Sequence, residues 1–164
     1  FLTSSIDREI YLKNEYEKDQ LNFVKKKILN HKYDYFFDIG AYIGYYSLSL
    51  YNLVHKTVAF EPNQQNFQRL YKNVVLNNFN IDCHNLGCSD KKDKLKLWYT
   101  DKNKRGGSSI FNETDKEINK YVKSKLLFEE ITEKSITLIK KGQLPHLVSE
   151  LAKFSPRDIL SSSL

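Results

Sequence analysis

The sequence predicts an α/β fold in which a parallel sheet is flanked by helices. Between positions 33 and 88, short apolar runs alternate with amphipathic stretches of helical length, and this alternation is typical of βαβ units. The apolar runs are continuous rather than alternating, as expected of strands buried on both faces. Because connections in such units are nearly always right-handed, the pattern predicts a Rossmann-like arrangement.

The elements can be placed in order from hydrophobic periodicity. Residues 20–30 carry Leu21, Val24 and Ile28 at helical spacing, which predicts an amphipathic helix inside an N-terminal helical segment, residues 1–32. The sheet region then follows. It comprises a strand from Tyr33 to Gly40, a helix over 44–53, a strand over 57–61, a helix over 63–78 and a strand over 81–88.

The pattern changes after Cys88. Residues 94–100 alternate apolar and polar side chains, which predicts a strand that pairs with 129–138 as a β-hairpin insertion. Thr114 and Glu117 form a capping box and predict a helix with Ile118, Tyr121, Val122 and Leu126 on its apolar face. Residues 141–164 show no clear period and are interpreted as a divergent or truncated tail. The Rossmann-like domain is thus expected over 33–140, and incomplete.

Composition excludes several classes of protein. With 40% hydrophobic residues the chain can form a core, so it is not disordered as a whole. The net charge is +6, but 22 of the 26 basic residues are lysines spread along the chain, unlike an arginine-rich nucleic-acid surface. The most apolar stretch, residues 36–51, is too interrupted to span a bilayer. We therefore expect neither a nucleic-acid nor a membrane partner.

The two cysteines and the chain start give two further expectations. Cys83 and Cys88 match neither a zinc-type pair nor a redox C-x-x-C motif, so we expect free thiols, no metal site and a reducing, cytoplasmic location. The chain starts at Phe1 and contains no methionine. We therefore expect it to be part of a longer protein.

The turn after the first predicted strand carries the residues most typical of a ligand site. Asp38 and Gly40 lie where this strand gives way to a helix, and open α/β sheets bind ligands outside the carboxyl ends of their strands. Gly40 permits a tight turn, and Gly44 would let the helix pack close to the strand. Glu61 ends the second strand 21 residues after Gly40, where a carboxylate can accept hydrogen bonds from ribose hydroxyls. Together they favour a nucleoside over the alternative, a tight turn without a ligand.

The spacing of the motif distinguishes among nucleosides. The pattern is D-x-G-x-x-x-G, with Ala41 and Tyr42 where a dinucleotide motif would need another glycine. The charge of Asp38 is unfavourable for a pyrophosphate but suits the ammonium and sulfonium groups of S-adenosylmethionine. The chain contains no G-x-x-x-x-G-K-[ST] motif, which excludes P-loop chemistry.

Three ordered segments resemble the FkbM-type class I methyltransferases. They are FDIGAYIGYYSLSL, VAFEPNQQNFQRLYKNVVLNN and the GGSSI loop, and the resemblance covers roughly residues 33–111. It implies the class I methyltransferase fold and transfer of a methyl group from S-adenosylmethionine to a hydroxyl of a small molecule or sugar. The cofactor contacts it implies are Asp38, Gly40, Ala41, Gly44, Glu61, Asn85, Leu86 and Gly87. The substrate loop it implies consists of Gly106, Gly107, Ser108 and Ser109.

The resemblance also implies a role for each group of residues. Asp38, Gly40 and Gly44 would line the methionine end of the cofactor, Glu61 would hold the ribose, and residues 85–87 would lie near the adenine. No catalytic residue is predicted.

The chain departs from the family pattern at three places. The family usually has Asn where this chain has Tyr42 and often has Ala where it has Gly87. Its fourth strand carries an Asp-Val-Glu-Gly-like segment, which does not follow Leu138 here. We therefore expect the parallel sheet to stop after three strands. A non-catalytic fragment or binding module with a nucleoside pocket stays open as the alternative, and a nucleic-acid methyltransferase is a third reading that rests on charge alone.

Overall fold

A computed structural model describes residues 5–13, 16–89, 94–97, 120–126, 135–140 and 159–162. Its helices are α1 (Ser5–Lys13), α2 (Lys18–His31), α3 (Tyr45–Leu50) and α4 (Gln64–Leu76), with a 3-10 turn at Tyr51–Leu53. Its strands are β1 (Tyr35–Ile39), β2 (Lys56–Phe60), β3 (Ile81–His84), β4 (Gly87–Ser89), β5 (Lys94–Leu97), β6 (Lys120–Leu126), β7 (Ser135–Lys140) and β8 (Ile159–Ser162). In this part of the chain no helix has the length and apolar character needed to cross a membrane.

The main sheet has the Rossmann-like order of strands. Among the described strands, five pair in the order β3-β2-β1-β7-β8, and every pairing is parallel. The chain adds β2 and β3 on one side of β1 and later returns to add β7 on the other side. This reversal is the topological switch point at which such sheets bind ligands. The predicted fold class is confirmed.

One core cluster lies between α2, α3 and the first strand. It contains Val24 and Ile28 of α2, Phe36 of β1, and Tyr46 and Leu50 of α3, all of them buried. Two of these residues come from the predicted amphipathic stripe of α2, which confirms that helix. Because the stripe faces the sheet, Lys25 and Lys26 on the other side of the helix are exposed to solvent.

The second core cluster holds α4 against β2 and β3. Its buried members are Leu70 and Val74 of α4, together with Ala41, Ala59 and Ile81. Asn63 caps α4, since its side-chain oxygen accepts hydrogen bonds from two amides of the first turn, at 2.9 and 3.3 Å. Such a cap stabilises a helix by about 1 kcal/mol, and it places the start of α4 directly after the end of β2.

The region after β3 differs from the prediction in its pairing partners. A second sheet has the order β4-β6-β5, and β5 is antiparallel to β6. Residues 120–126 are therefore a strand rather than part of the predicted helix, and β6 rather than 129–138 is the hairpin partner of β5. The apolar positions fit a helical period, but Tyr121 and Val122 also favour a strand, and pairing with both β4 and β5 overrides the local signal. Residues 114–119 lie outside the described part of the chain.

Strands β7 and β8 correct the expectation that the parallel sheet stops after three strands. Residues 135–140 pair with β1 in register, Phe37 opposite Thr137 and Ile39 opposite Ile139. The middle of the segment SITLIK is a continuous run of apolar and β-branched residues, three of which are β-branched. Such a run suits a strand inside a parallel sheet. The predicted tail also contains β8, which pairs with β7. The sheet thus has its fourth and fifth strands without the Asp-Val-Glu-Gly-like motif.

Candidate functional site

The loop after β1 is closed against the end of β2. The amides of Gly40 and Ala41 both donate to the carbonyl oxygen of Phe60, each at 2.9 Å. Gly40 has a φ of 80°, a left-handed conformation that glycine adopts without steric cost. The predicted tight turn at Gly40 is confirmed, and it lies at the carboxyl edge of the sheet.

Glu61 is held at this edge by backbone groups from three sides. The side chain is only 5% exposed. Its Oε2 accepts from the amide of Tyr42 and its Oε1 from the amide of Asn63, both at 2.8 Å. The amide of Glu61 donates to the carbonyl of His84 at 3.0 Å. Two amide donors stabilise a buried carboxylate as an anion, so this part of the edge carries a fixed negative charge.

Asp38 lies within the protein and bonds to the first turn of α3. It is fully buried, and its Oδ2 accepts from the Ser47 amide at 3.1 Å and from the Ser47 hydroxyl at 2.6 Å. Ser47 is the third residue of α3, so the carboxylate lies at the positive end of the helix dipole. These contacts give Asp38 a role in fixing the loop between β1 and α3. Its contact with a cofactor stays a prediction.

The position of a Cβ atom on Gly44 is occupied by a side chain of α4. It has a φ of 92°, and a Cβ atom on it would lie 2.6 Å from Cδ1 of Leu70. A contact under 3 Å forces the neighbouring atoms to move, so Gly44 sets the distance between α3 and α4. The close contact shown at Gly44 is with Leu70, and the expected packing of the helix against the strand stays a prediction.

The residues predicted near the adenine follow the end of β3. The side-chain amide of Asn85 donates to the carbonyl oxygens of Glu61 and Pro62, at 2.8 and 3.2 Å. Leu86 is half-buried, and Gly87 is buried at the start of β4. Asn85 therefore joins the end of β3 to the end of β2, beside the carboxylate. The adenine contact itself stays a prediction.

Tyr42 makes contacts that the sequence did not indicate. Its hydroxyl donates to Oδ1 of Asp7 at 3.0 Å, and Nη2 of Arg69 donates to Oδ2 of the same carboxylate at 2.9 Å. The guanidinium of Arg69 also lies 5.8 Å from the centre of the Tyr42 ring. Asp7 lies 35 residues from Tyr42 and 62 residues from Arg69 along the chain, so no local motif could have revealed these contacts.

Two side chains near the sheet have pKa values above their usual range. Burial raises the pKa of the Cys83 thiol to about 11, helped by the negative charges of Asp82 and Asp38. Burial also raises the pKa of the Tyr46 hydroxyl, which donates to Glu17 at 2.6 Å. Both groups are therefore protonated at neutral pH, and neither is a proton acceptor there.

Two further features of the prediction concern metal and substrate. Within the described residues, no three His, Cys, Asp or Glu side chains lie close enough to hold a metal ion. The predicted substrate loop, Gly106 to Ser109, lies outside those residues.

Comparison with known proteins identifies a family. Residues 38–155 match the model of the methyltransferase FkbM domain, a span that begins at Asp38 and includes Gly40, Glu61 and the strands up to β7. No curated protein sequence matches the chain.

Several solved structures are similar over part of their length. They include the YcgJ protein from Bacillus subtilis, at 15% identity over 40% of this chain and 29% of that one, with a TM-score of 0.37. An S-adenosylmethionine-dependent methyltransferase from Clostridium acetobutylicum is 13% identical over 46% and 32%, with a TM-score of 0.39. A Podospora anserina methyltransferase bound to S-adenosylhomocysteine is 14% identical over 43% and 32%, with a TM-score of 0.38. The aligned region is about a third of each of these proteins.

Proposed function

The chain belongs to the FkbM methyltransferase family, and on that basis we propose that it binds S-adenosylmethionine and transfers the methyl group to a hydroxyl of a small molecule or saccharide. The observation that carries the proposal is the Glu61 carboxylate, which is buried and held by two amides at the switch-point edge of the sheet. An anion fixed there is suited to hydroxyl donors rather than to a phosphate.

The donor set at this edge fits the nucleoside part of the cofactor. A carboxylate offers about four acceptor positions, so two amide donors are compatible with hydrogen bonds from the ribose hydroxyls. The acidic edge is also compatible with a ligand whose other end carries an ammonium and a sulfonium. Bound S-adenosylmethionine would supply a methyl group activated by the positive sulfur.

The contribution of the chain is chiefly to hold and orient. Gly40 and Ala41 fix the loop on the end of β2, and Asp38 fixes the start of α3 through Ser47. Methyl transfer is an in-line displacement, and correct orientation of the two reactants lowers its barrier substantially. The main requirement on this half of the domain is therefore that the carboxyl edge of the sheet, where we place the cofactor, is rigid.

The acceptor and the setting complete the proposal. We place the reaction in the cytoplasm and take the acceptor to be a small molecule or saccharide, with no nucleic-acid or membrane partner. The spread of the lysines along the chain supports the absence of a nucleic-acid surface. A binding module that holds the nucleoside without turnover is the competing function, and it would show cofactor affinity with no methyl transfer to any acceptor.

Calorimetric titration of the chain with S-adenosylhomocysteine, beside NAD, tests the proposal. We expect binding of the former and none of the latter. Glu61→Gln should weaken binding at least tenfold, about 1.4 kcal/mol, because the two backbone amides bond to different carboxylate oxygens and the NH2 group that replaces one of these oxygens cannot accept a hydrogen bond. The matched control is Glu17→Gln, which alters a carboxylate that bonds to Tyr46 away from the edge. Equal affinity of the Glu61 variant and wild type would overturn the site.

A further inference from the structure

We infer that helix α1 positions the loop at the carboxyl edge of the sheet, where we place the cofactor. Asp7 of α1 holds the Tyr42 side chain, and the Tyr42 amide in turn fixes the Glu61 carboxylate. In this inference Asp7 acts on Glu61 through Tyr42, to whose hydroxyl it is hydrogen-bonded. The inference rests on the proposed function for its effect on cofactor binding, but its structural part can be tested without a cofactor.

The link begins with a buried charge on α1. Asp7 is only 3% exposed, and each oxygen of its carboxylate accepts a hydrogen bond, one from Tyr42 and one from Arg69. A buried carboxylate is costly unless it is paired and hydrogen-bonded. Removal of either partner would therefore disfavour the docked position of α1, so this position depends on Tyr42 and Arg69.

The middle of the link is the backbone of Tyr42. This residue has a φ of 56°, a left-handed conformation that few residues other than glycine, Asn and Asp adopt. In that conformation its amide points at Oε2 of Glu61, 2.8 Å away. The side chain is anchored at the hydroxyl by Asp7 and at the ring by Arg69. The anchored side chain thus holds the Tyr42 backbone in the left-handed conformation, which a tyrosine without these contacts would rarely adopt.

The last contacts in this series involve α4. Arg69 belongs to α4, whose cap Asn63 donates its amide to the other oxygen of Glu61. The Asp7 carboxylate therefore connects, through Arg69 and Tyr42, to the elements that supply both amide donors of Glu61. A change at Asp7 is expected to loosen the carboxylate that we assign to the ribose, although α1 lies outside the matched family domain.

The test uses Tyr42→Phe and Asp7→Asn in the full chain, with Tyr45→Phe as the matched control. The Tyr45 hydroxyl accepts from the Tyr16 amide at 3.0 Å, so the control also removes a tyrosine hydroxyl that bonds to the N-terminal segment. The first readout is hydrogen exchange of the residue 42 amide without ligand. We expect both variants to speed it roughly tenfold and the control to leave it unchanged. Unchanged exchange in Tyr42→Phe would overturn the inference, and this variant keeps the test decisive if Asp7→Asn fails to fold.

The second readout is affinity for S-adenosylhomocysteine. Tyr42→Phe should weaken binding several-fold in the wild-type background and hardly at all in the Glu61→Gln background, because Tyr42 acts through Glu61. Independent effects of the two substitutions would contradict the inference. If the wild type itself does not bind, the proposed function fails, while the exchange readout still decides whether Asp7 positions the loop.

Discussion

Replacing Gly44 by alanine should destabilise the fold through two separable effects. The first is conformational, since Gly44 has a φ of 92° and a left-handed conformation costs a non-glycine residue about 1–2 kcal/mol. The second is steric, since the new methyl group would lie 2.6 Å from Cδ1 of Leu70 and 3.3 Å from Cδ1 of Leu48. Leu70 is fully buried, so its movement must disturb the core, at about 1–3 kcal/mol.

The expected total is about 2–5 kcal/mol, a large part of the ~5–15 kcal/mol that stabilises a typical domain. Urea unfolding followed by far-UV circular dichroism measures it, provided that the slope of free energy against urea stays the same. Leu70→Val removes the atom that the methyl group would meet. In that background, Gly44→Ala should lose the steric cost and retain about 1–2 kcal/mol.

Two results would refute this reasoning. A loss below about 1 kcal/mol in the wild-type background would mean that neither effect operates as described. Equal losses in the wild-type and Leu70→Val backgrounds would remove the steric effect and leave conformation alone.

The remaining predictions concern Ser47 and Cys83. Ser47→Ala removes the hydroxyl that donates to the buried Asp38 carboxylate, so unfolding experiments should show a loss of about 1–3 kcal/mol. Ser49→Ala removes an exposed hydroxyl on the same helix and should change stability by less than about 0.5 kcal/mol; equal losses would contradict the role of Asp38. Because burial raises the Cys83 pKa from 9.0 to about 11, iodoacetamide at pH 8 should modify Cys83 roughly a hundredfold more slowly in the folded chain than in the urea-unfolded chain, with the folded rate rising as pH rises toward 11. Similar rates in the two states at pH 8 would contradict the shift.

The sequence predicted the first half of the sheet and its loop because the signals there are local. The amphipathic period of α2, the glycine at position 40 and the acidic end of β2 each follow from residues that are close along the chain. The structure confirms the elements built from them. The position of Glu61 at the carboxyl edge follows from the same local order.

The remainder depends on contacts that no local pattern encodes. The sequence of residues 120–126 is compatible with both a helix and an extended strand. The pairing of this segment with β4 and β5 makes it a strand. The segment 135–140 lacks the expected acidic motif, yet its β-branched residues pair with β1. Similarly, nothing near Tyr42 in the sequence indicates Asp7 or Arg69.

The place of β7 beside β1 has a consequence for the order of folding. Tyr35 lies opposite Ser135, so one edge of the central strand finds its partner 100 residues later in the chain. Until that segment leaves the ribosome, β1 can pair with β2 but keeps a row of unsatisfied amide and carbonyl groups on its other side. Such an open edge is a template for association with other chains, and distant pairing slows folding. The nascent protein therefore passes through a stage in which the strand at the centre of the finished sheet is open to pairing with other chains.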